Sequence, residues 1–514
     1  MSTSVKRSNF YKIATYGAAD YMGGSANQII GLYYFLFLTT VAGLSPLLAG
    51  IVTGIGRIWD GLIDPAMGVL VDRTHKKMGS VRFLMLCSLI PIVISHFLFW
   101  SSFDLGNNIN KSFYFTFAYI LWSTSYSLAT VPYDSLLPRI VPEYGARTNY
   151  AISRMIFSGI GGVSATFLYE LFIPVSSEKM SPALASNYSI MGFSFGLFFV
   201  AFVLITALTV KEPPDLLKSS ESKLSVKLIF KQYADVLKCK TYRKFFTLVL
   251  CGAFISGAIL TAMMMFLMLI YGGIENFFLA FSLSFIVVTL KGAFEIGFFI
   301  PNMLMMKKYN KHRPYLIDIP MLIAAGILIL FINATTPLWV FLIAISLLGA
   351  GVSCLGFVPS ALLPDLADAQ ELIKGKKNEG VNAGINTFGK QVVGGLSTLV
   401  FGIILSAFGL DSVADKISPQ DATIEAIWAV KVMLAIVPIV MCVVIFFVSR
   451  TYKLDGRAHA LIKKLITERH EKGFVNPTED EKSLLTEITG VSYNSMWIST
   501  VESEKSDSNL ETSS

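Results

Sequence analysis

The sequence predicts an all-α integral membrane protein with twelve membrane-spanning helices in two six-helix bundles. Three observations carry this. Only 15% of the 514 residues are charged, 54% are hydrophobic and the mean hydropathy is +0.61, an apolar surplus that soluble cores do not absorb. Apolar runs of about 20 residues recur along most of the chain, the length of a helix that crosses a bilayer and about twice that of a barrel strand. The halves also echo each other: VPYDSLLP at 131–138 returns as VPSALLP at 358–364, and the spacing of Asn149, Ile152 and Gly161–Gly162 returns in Asn382, Ile385 and Gly394–Gly395. Two related halves around a central site are the plan of a secondary transporter.

In order, the apolar runs place spans I to XII at 14–41, 47–71, 83–103, 113–137, 150–173, 188–210, 245–270, 279–304, 314–332, 338–363, 382–408 and 430–449. The first 13 residues are polar and basic, and span I is too long for a removable signal peptide. Segments on the side of the termini carry 34 Lys and Arg and the opposite loops three, which predicts cytoplasmic termini in a plasma membrane. The domain plan is then an N-terminal bundle over 1–210, a linker over 211–244, a C-terminal bundle over 245–452 and a tail over 453–514. In the linker, KLSVKLIFKQYADVLK has helical apolar spacing with lysines between, the pattern of a surface helix. The tail begins with a basic amphipathic stretch, 456–472, and turns Ser- and acid-rich from about 477, where disorder is expected.

Ionisable groups at bilayer depth are costly and mark candidate sites. Span II is densest, with Arg57, Asp60 and Asp64 in GRIWDGLIDPAMG. Asp60 and Asp64 are four apart and share a helix face, suited to sodium or to a shared proton. Asp64 precedes Pro65, which frees a backbone carbonyl, so Asp64 is expected to be indispensable for the ion and Asp60 to serve both the ion and a pairing with Arg57 or Arg154. On span IV, Ser127, Thr130 and Asp134 fall near one face beside Tyr126, and the hydroxyls of Ser127 and Thr130 are candidate ion ligands. Arg154 on span V is a clamp for substrate or a counter-charge to the span II acids. Asp20 lies on span I and Lys390 on span XI. Lys291 and Glu295 on span VIII are four apart and suited to each other. The five cysteines are scattered singly, without metal-ligand spacing. The five histidines lack acid partners in sequence, so enzymatic activity is not expected.

At these residues the chain resembles the glycoside-pentoside-hexuronide:cation symporters, the melibiose permease family of the major facilitator superfamily. The resemblance rests on YGAAD at 16–20, RIWDGLIDPAMG at 57–68, GVLVDRTHKKMG at 68–79, YILWSTSYS at 119–127, Arg154 and EGVNAGINTFGK at 379–390. It implies the major facilitator fold and an ion site of Asp60, Asp64 and the helix IV hydroxyl that falls on Ser127. It also implies a substrate site drawing on Asp20, Tyr126, Asp134, Arg154, Thr387 and Lys390. The aspartates that hold sugar in galactoside members fall on Gly24 and Thr130, so both are missing; Asp20 and Asp134 stand one turn away. The family's helix XI lysine is expected at Gln391 and stands at Lys390. In the loop after span II, Asp72, Arg73 and Arg82 resemble the superfamily's cytoplasmic gate.

The function expected is uptake of a small polar solute, a sugar or glycoside, by sodium- or proton-coupled symport through alternating access. The protein is expected to work as a monomer, with membrane lipid as its surroundings, no nucleic-acid partner, no cofactor and no metal beyond the coupling sodium. The rivals are a carrier of a lysolipid or organic anion on the same fold, and a non-transporting membrane sensor.

Overall fold

The structure, a computed structural model, describes residues 3–74, 79–140, 144–173, 182–210, 226–271, 283–376, 379–410 and 423–499. Among them every element is helical, and each of the twelve expected spans is met by a helix or a broken helix. Span I is α1 (Thr3–Gly17), α2 (Asp20–Ile29), a π-helical turn at Ile30–Tyr34 and α3 (Phe35–Thr40). Spans II to VI are α4 (Pro46–Arg73), α5 (Ser80–Phe99), α6 (Asn108–Ile140), α7 (Tyr144–Phe172) and α8 (Pro182–Thr209). The linker helix α9 covers Val226–Val236. Span VII is α10 (Lys240–Tyr271), and span VIII is broken into α11 (Leu283–Gly297) and α12 (Phe299–Lys308). Spans IX to XI are α13 (Tyr315–Phe331), α14 (Leu338–Lys374) and α15 (Glu379–Ala407). Span XII is α16 (Ile424–Lys431), a π-helical turn at Val432–Ile436 and α17 (Val437–Arg450). Two helices follow, α18 (Gly456–Lys472) and α19 (Glu479–Thr489).

Hydropathy alone did not show the break in span I. The chain turns at Ala18–Ala19, which opens backbone groups inside the bundle. Thr206 of α8 satisfies them: its hydroxyl accepts from the Ala19 amide at 3.1 Å and donates to the Thr15 carbonyl at 2.8 Å. The break puts Asp20 at the first position of α2, where the helix dipole favours a negative charge.

Span X continues past the expected 363 to Lys374 and stops at Gly375, whose φ of 72° suits glycine. Hydropathy falls in this stretch because it carries Asp365, Asp368 and Glu371, yet all three are buried. Each has a partner: Lys311 Nζ at 2.7 Å from Asp365, His459 at 2.9 Å from Asp368 and His470 at 3.0 Å from Glu371. The two histidines come from α18, so the expectation that the histidines lack acid partners fails for them.

Disorder from about 477 is also overturned, as far as residue 499. α19 opens with a capping box between Thr478 and Glu481, and Leu485, Ile488, Met496 and Ile498 are buried. Few apolar residues suffice because they fall on one face and meet α10 and α14: Thr241 donates to the Ile488 carbonyl, and Trp497 covers Gly375. Residues 500–514 lie outside the described residues.

The two bundles meet most closely at the end away from the termini. α4 and α15 run together there because glycines remove the Cβ atoms between them. A Cβ on Gly402 would stand 2.3 Å from the Pro46 carbonyl, and one on Gly395 2.9 Å from that of Gly54. Thr53 and Thr398 hydrogen-bond across the seam at 3.1 Å. Phe35 of α3 meets Phe401 at 5.0 Å between ring centres, and Phe167 of α7 meets Phe285 of α11 at 5.8 Å. Toward the termini, α9 lies on α15, with Phe230 edge-on to Phe388 at 5.5 Å and Tyr233 filling the space left by Gly384.

Candidate functional site

The span II acids stand in register with span IV. α4 and α6 run parallel, and three successive turns pair at a constant offset: Gly56 with Tyr119, Asp60 with Ser123, Asp64 with Ser127. Gly56 makes the approach possible, since a Cβ there would fall 2.2 Å from the Tyr119 ring. One turn on, Ser123 donates to Asp60 Oδ1 at 2.7 Å, and a further turn on, Ser127 donates to Asp64 Oδ1 at 2.7 Å. Trp59 locks the pair of helices by donating to Thr124 at 3.0 Å.

Neither carboxylate has a basic group within ion-pair distance among the described residues. This corrects the expected pairing of Asp60 with Arg57 or Arg154. Arg57 turns instead into the α4–α15 seam, where it lines a small cavity with Thr53, Thr261 and Thr398 and passes over Gly394. Thr130 makes no contact with either acid: its hydroxyl donates to the Tyr126 carbonyl of its own helix at 3.0 Å, a bond common for hydroxyls in membrane helices that leaves its oxygen lone pairs free. Ser123, which the sequence reading did not single out, takes the second rung; its signal was the four-residue spacing to Ser127 that mirrors Asp60 and Asp64.

A second cluster joins α2, α6 and α7. Arg154 binds both flanking acids: Nε to Asp20 Oδ2, Nη2 to Asp20 Oδ1 at 3.3 Å, and Nη2 to Asp134 Oδ1 at 2.5 Å. Its guanidinium lies 4.6 Å from the centre of the Tyr133 ring, and the Tyr133 hydroxyl is 3.2 Å from Asp20 Oδ2. Asp134 is the open member, with its side chain 60% exposed against 18% for Asp20. Asp20 Oδ1 and the Tyr126 hydroxyl both lie 3.5 Å from the point where a Cβ on Gly23 would stand, so the two converge there.

Helix I reaches helix V closely enough for this because glycines line the contact. A Cβ on Gly17 would lie 2.3 Å from Ser153 Oγ, on Gly161 2.5 Å from the Tyr21 carbonyl, and on Gly24 1.9 Å from the Ser158 carbonyl. Gly24 is one of the positions where galactoside carriers are expected to hold sugar; here it is filled by the backbone of α7.

Thr387 and Lys390 are exposed on α15 and join neither cluster. Lys291 and Glu295 pair with each other at 2.7 Å. Of the gate residues, Arg73 is exposed in the last turn of α4, and Arg82 has its Nε buried without a hydrogen-bond partner. The side chain of Asp72 lies outside the described residues.

The family model described as MFS/sugar transport protein matches residues 15–456. The chain belongs to this family. It is 24% identical over 474 residues to the uncharacterized symporter YjmB of Bacillus subtilis, covering 91% of this chain and 96% of that protein. Over 175 residues it is 30% identical to the sodium-dependent lysophosphatidylcholine symporter 1-A of Danio rerio, a match covering 32% of each. Its fold is that of the nucleoside transporter NupG, with a TM-score of 0.59 at 14% identity, covering 86% of this chain and 99% of that one. The protein is therefore a multi-pass secondary transporter of the major facilitator type, carrying a small-molecule substrate.

Proposed function

We propose that the protein is a cation-coupled symporter of a sugar or glycoside, with both termini in the cytoplasm and the plasma membrane as its location. The observation that carries the reading is the pair of carboxylate–hydroxyl rungs, Asp60–Ser123 and Asp64–Ser127, with no basic group within ion-pair distance among the described residues. Two acids glued to arginines would be structural. Two acids held only by hydroxyls keep their remaining oxygens for a hard monovalent cation, sodium or a proton. The sugar assignment rests on the family's description and on the neighbouring cluster of Asp20, Asp134, Arg154 and Tyr126, whose carboxylates and phenol offer paired hydrogen bonds to vicinal hydroxyls. α6 carries residues of both clusters, so ion and substrate act on one rigid element.

Carriage of a lysolipid is the second reading, favoured by the local likeness to the Danio rerio symporter. Counterflow in proteoliposomes separates the two, with a panel of glycosides and lysophospholipids tested with and without a sodium gradient. Asp60→Asn and Asp64→Asn are expected to abolish cation-driven accumulation while downhill flux survives. Accumulation that persists in either purified variant rejects the proposed ion site.

A further inference from the structure

A buried acid stands in the C-terminal bundle, far in sequence from the residues above and unused by them. Asp318, in the first turn of α13, is fully buried. Asn302 of α12 and Ser353 of α14, both buried, complete its surroundings: Asn302 Nδ2 is 2.7 Å from Asp318 Oδ2 and 3.0 Å from Ser353 Oγ. Asp318 Oδ1 makes no hydrogen bond of good geometry, and the Cys354 thiol lies against the carboxyl.

The titratable groups facing it are neutral in ordinary conditions. They are the thiol of Cys354 on α14 and, behind it, the thiol of Cys442 on α17, both buried; the phenol of Tyr315, on the same helix as Asp318, is buried near Cys354. No Lys, Arg or His lies within ion-pair distance among the described residues. A lone carboxylate is not sustained in such a place, because its hydration is lost and no opposite charge replaces it. The start of α13 offsets only a small part of that loss.

The triad accommodates the neutral acid without rearrangement. With the Asn302 amide turned over, an exchange of N and O that leaves the shape unchanged, its carbonyl accepts from a protonated Asp318 and from the Ser353 hydroxyl at the same separations. Asn302 sits one turn past Phe298, where span VIII is interrupted for a single residue and its i to i−4 hydrogen bonds continue, so Asn302 moves with span VIII as a whole. α11 in turn touches the opposite bundle at its start, where Ser284 donates to Glu170 at 2.5 Å. Motion of span VIII during alternating access therefore moves the one side chain that holds the acid.

We propose that Asp318, with Asn302 and Ser353, is a second ion site of the transporter whose ligand is a proton. On this proposal the carboxyl holds its proton while Asn302 faces it and releases it when span VIII moves away. The site is independent of Asp60 and Asp64.

Infrared spectroscopy of the purified protein in lipid, with counterflow across a pH series, tests this. The difference spectrum of wild type minus Asp318→Asn is expected to contain the C=O stretch of a protonated carboxyl at neutral pH. The same difference is expected in an Asp60→Asn/Asp64→Asn background, which separates this proposal from the ion-site reading above. Asp318→Asn imitates the protonated form, so it should still exchange substrate while losing the alkaline limb of the wild-type pH profile. Asn302→Ala leaves the carboxyl in place, and its stretch should shift to higher frequency as the hydrogen bond is lost. Carboxylate bands alone in the difference spectrum, an unaltered pH profile or an unmoved stretch in Asn302→Ala would each overturn the proposal.

Discussion

Replacing Gly24 with alanine adds one methyl group at the closest approach of α2 and α7. Its Cβ would stand 1.9 Å from the Ser158 carbonyl oxygen and 2.8 Å from the Ser158 Cα. Reaching the 3.0 Å below which real Cβ contacts essentially never fall requires the two backbones to part by about 1 Å. The clash is against backbone, so no rotamer relieves it. Asp20 lies one turn from Gly24 on α2, and Arg154 one turn from Ser158 on α7, so the separation passes directly to that ion pair. The Arg154 Nη2 to Asp20 Oδ1 bond is already 3.3 Å and would be lost. A hydrogen bond to a charged group contributes about 1.5–3 kcal/mol, and overpacking costs about 1–3 kcal/mol more. The sum, roughly 2.5–6 kcal/mol, should appear as a lower melting temperature of the purified protein and loss of substrate counterflow. Cation binding at the proposed site should survive, since the Asp60–Ser123 and Asp64–Ser127 rungs lie on α4 and α6. Gly24→Asp, which would restore the carboxylate of galactoside carriers, should fail in the same way. Wild-type melting and counterflow in Gly24→Ala would refute the assignment of Gly24 to helix packing.

Ser123→Ala and Ser127→Ala should each weaken cation affinity by about tenfold or more, as expected for losing a hydroxyl that serves a charged group, whereas Thr130→Ala should leave it unchanged; isothermal titration with sodium decides this. Gly56→Ala should push Tyr119 away and lower cation affinity without touching a ligand, measured in the same titration. Gly402→Val should hold α4 and α15 apart at the end remote from the termini, so that a cysteine placed near Thr53 becomes reactive to a thiol reagent added from that side. Truncation after residue 472 should expose the surface that Leu485, Ile488, Met496 and Ile498 cover and lower the melting temperature by several degrees, read by differential scanning fluorimetry.

The twelve spans were legible because membrane depth imposes long apolar runs, and Asp60 and Asp64 because a charge within such a run has few structural excuses. The pairing of Lys291 with Glu295 followed from helical spacing alone. The partners of Arg154 did not: Asp20 and Asp134 come from two other helices, and their distance depends on how closely glycines let those helices approach. Thr130 and Ser123 look equivalent in sequence, and only the register of α4 against α6 separates them. The tail misled because its mean composition is polar. Burial there depends on a few apolar residues sharing one face, together with a complementary face on α10 and α14 that local sequence does not reveal. The break at Ala18–Ala19 was invisible because its cost is met by Thr206, almost two hundred positions away.

The placement of the acids bears on what this protein selects. At Gly24 the side chain is replaced by the backbone of α7, and Thr130 donates its hydroxyl proton back to α6, so neither position supplies a carboxylate to a substrate. The carboxylates one turn away are not free: Asp20 is held by Arg154 and Tyr133, and Asp134 shares the same guanidinium. On the proposed substrate site, a substrate would compete with Arg154 for these oxygens or bind to Arg154 itself. Hydroxyls of a sugar can join such a network at the exposed Asp134 without breaking it, because a carboxylate accepts several hydrogen bonds at once. A substrate bearing its own carboxylate or phosphate would share the guanidinium with Asp20 and Asp134 and bring a third negative charge beside them, a repulsion that a neutral solute avoids. On the proposed reading the cluster suits a neutral polyhydroxylated solute better than a simple organic anion, through the glycines that bring α2 against α7 as much as through the acids themselves.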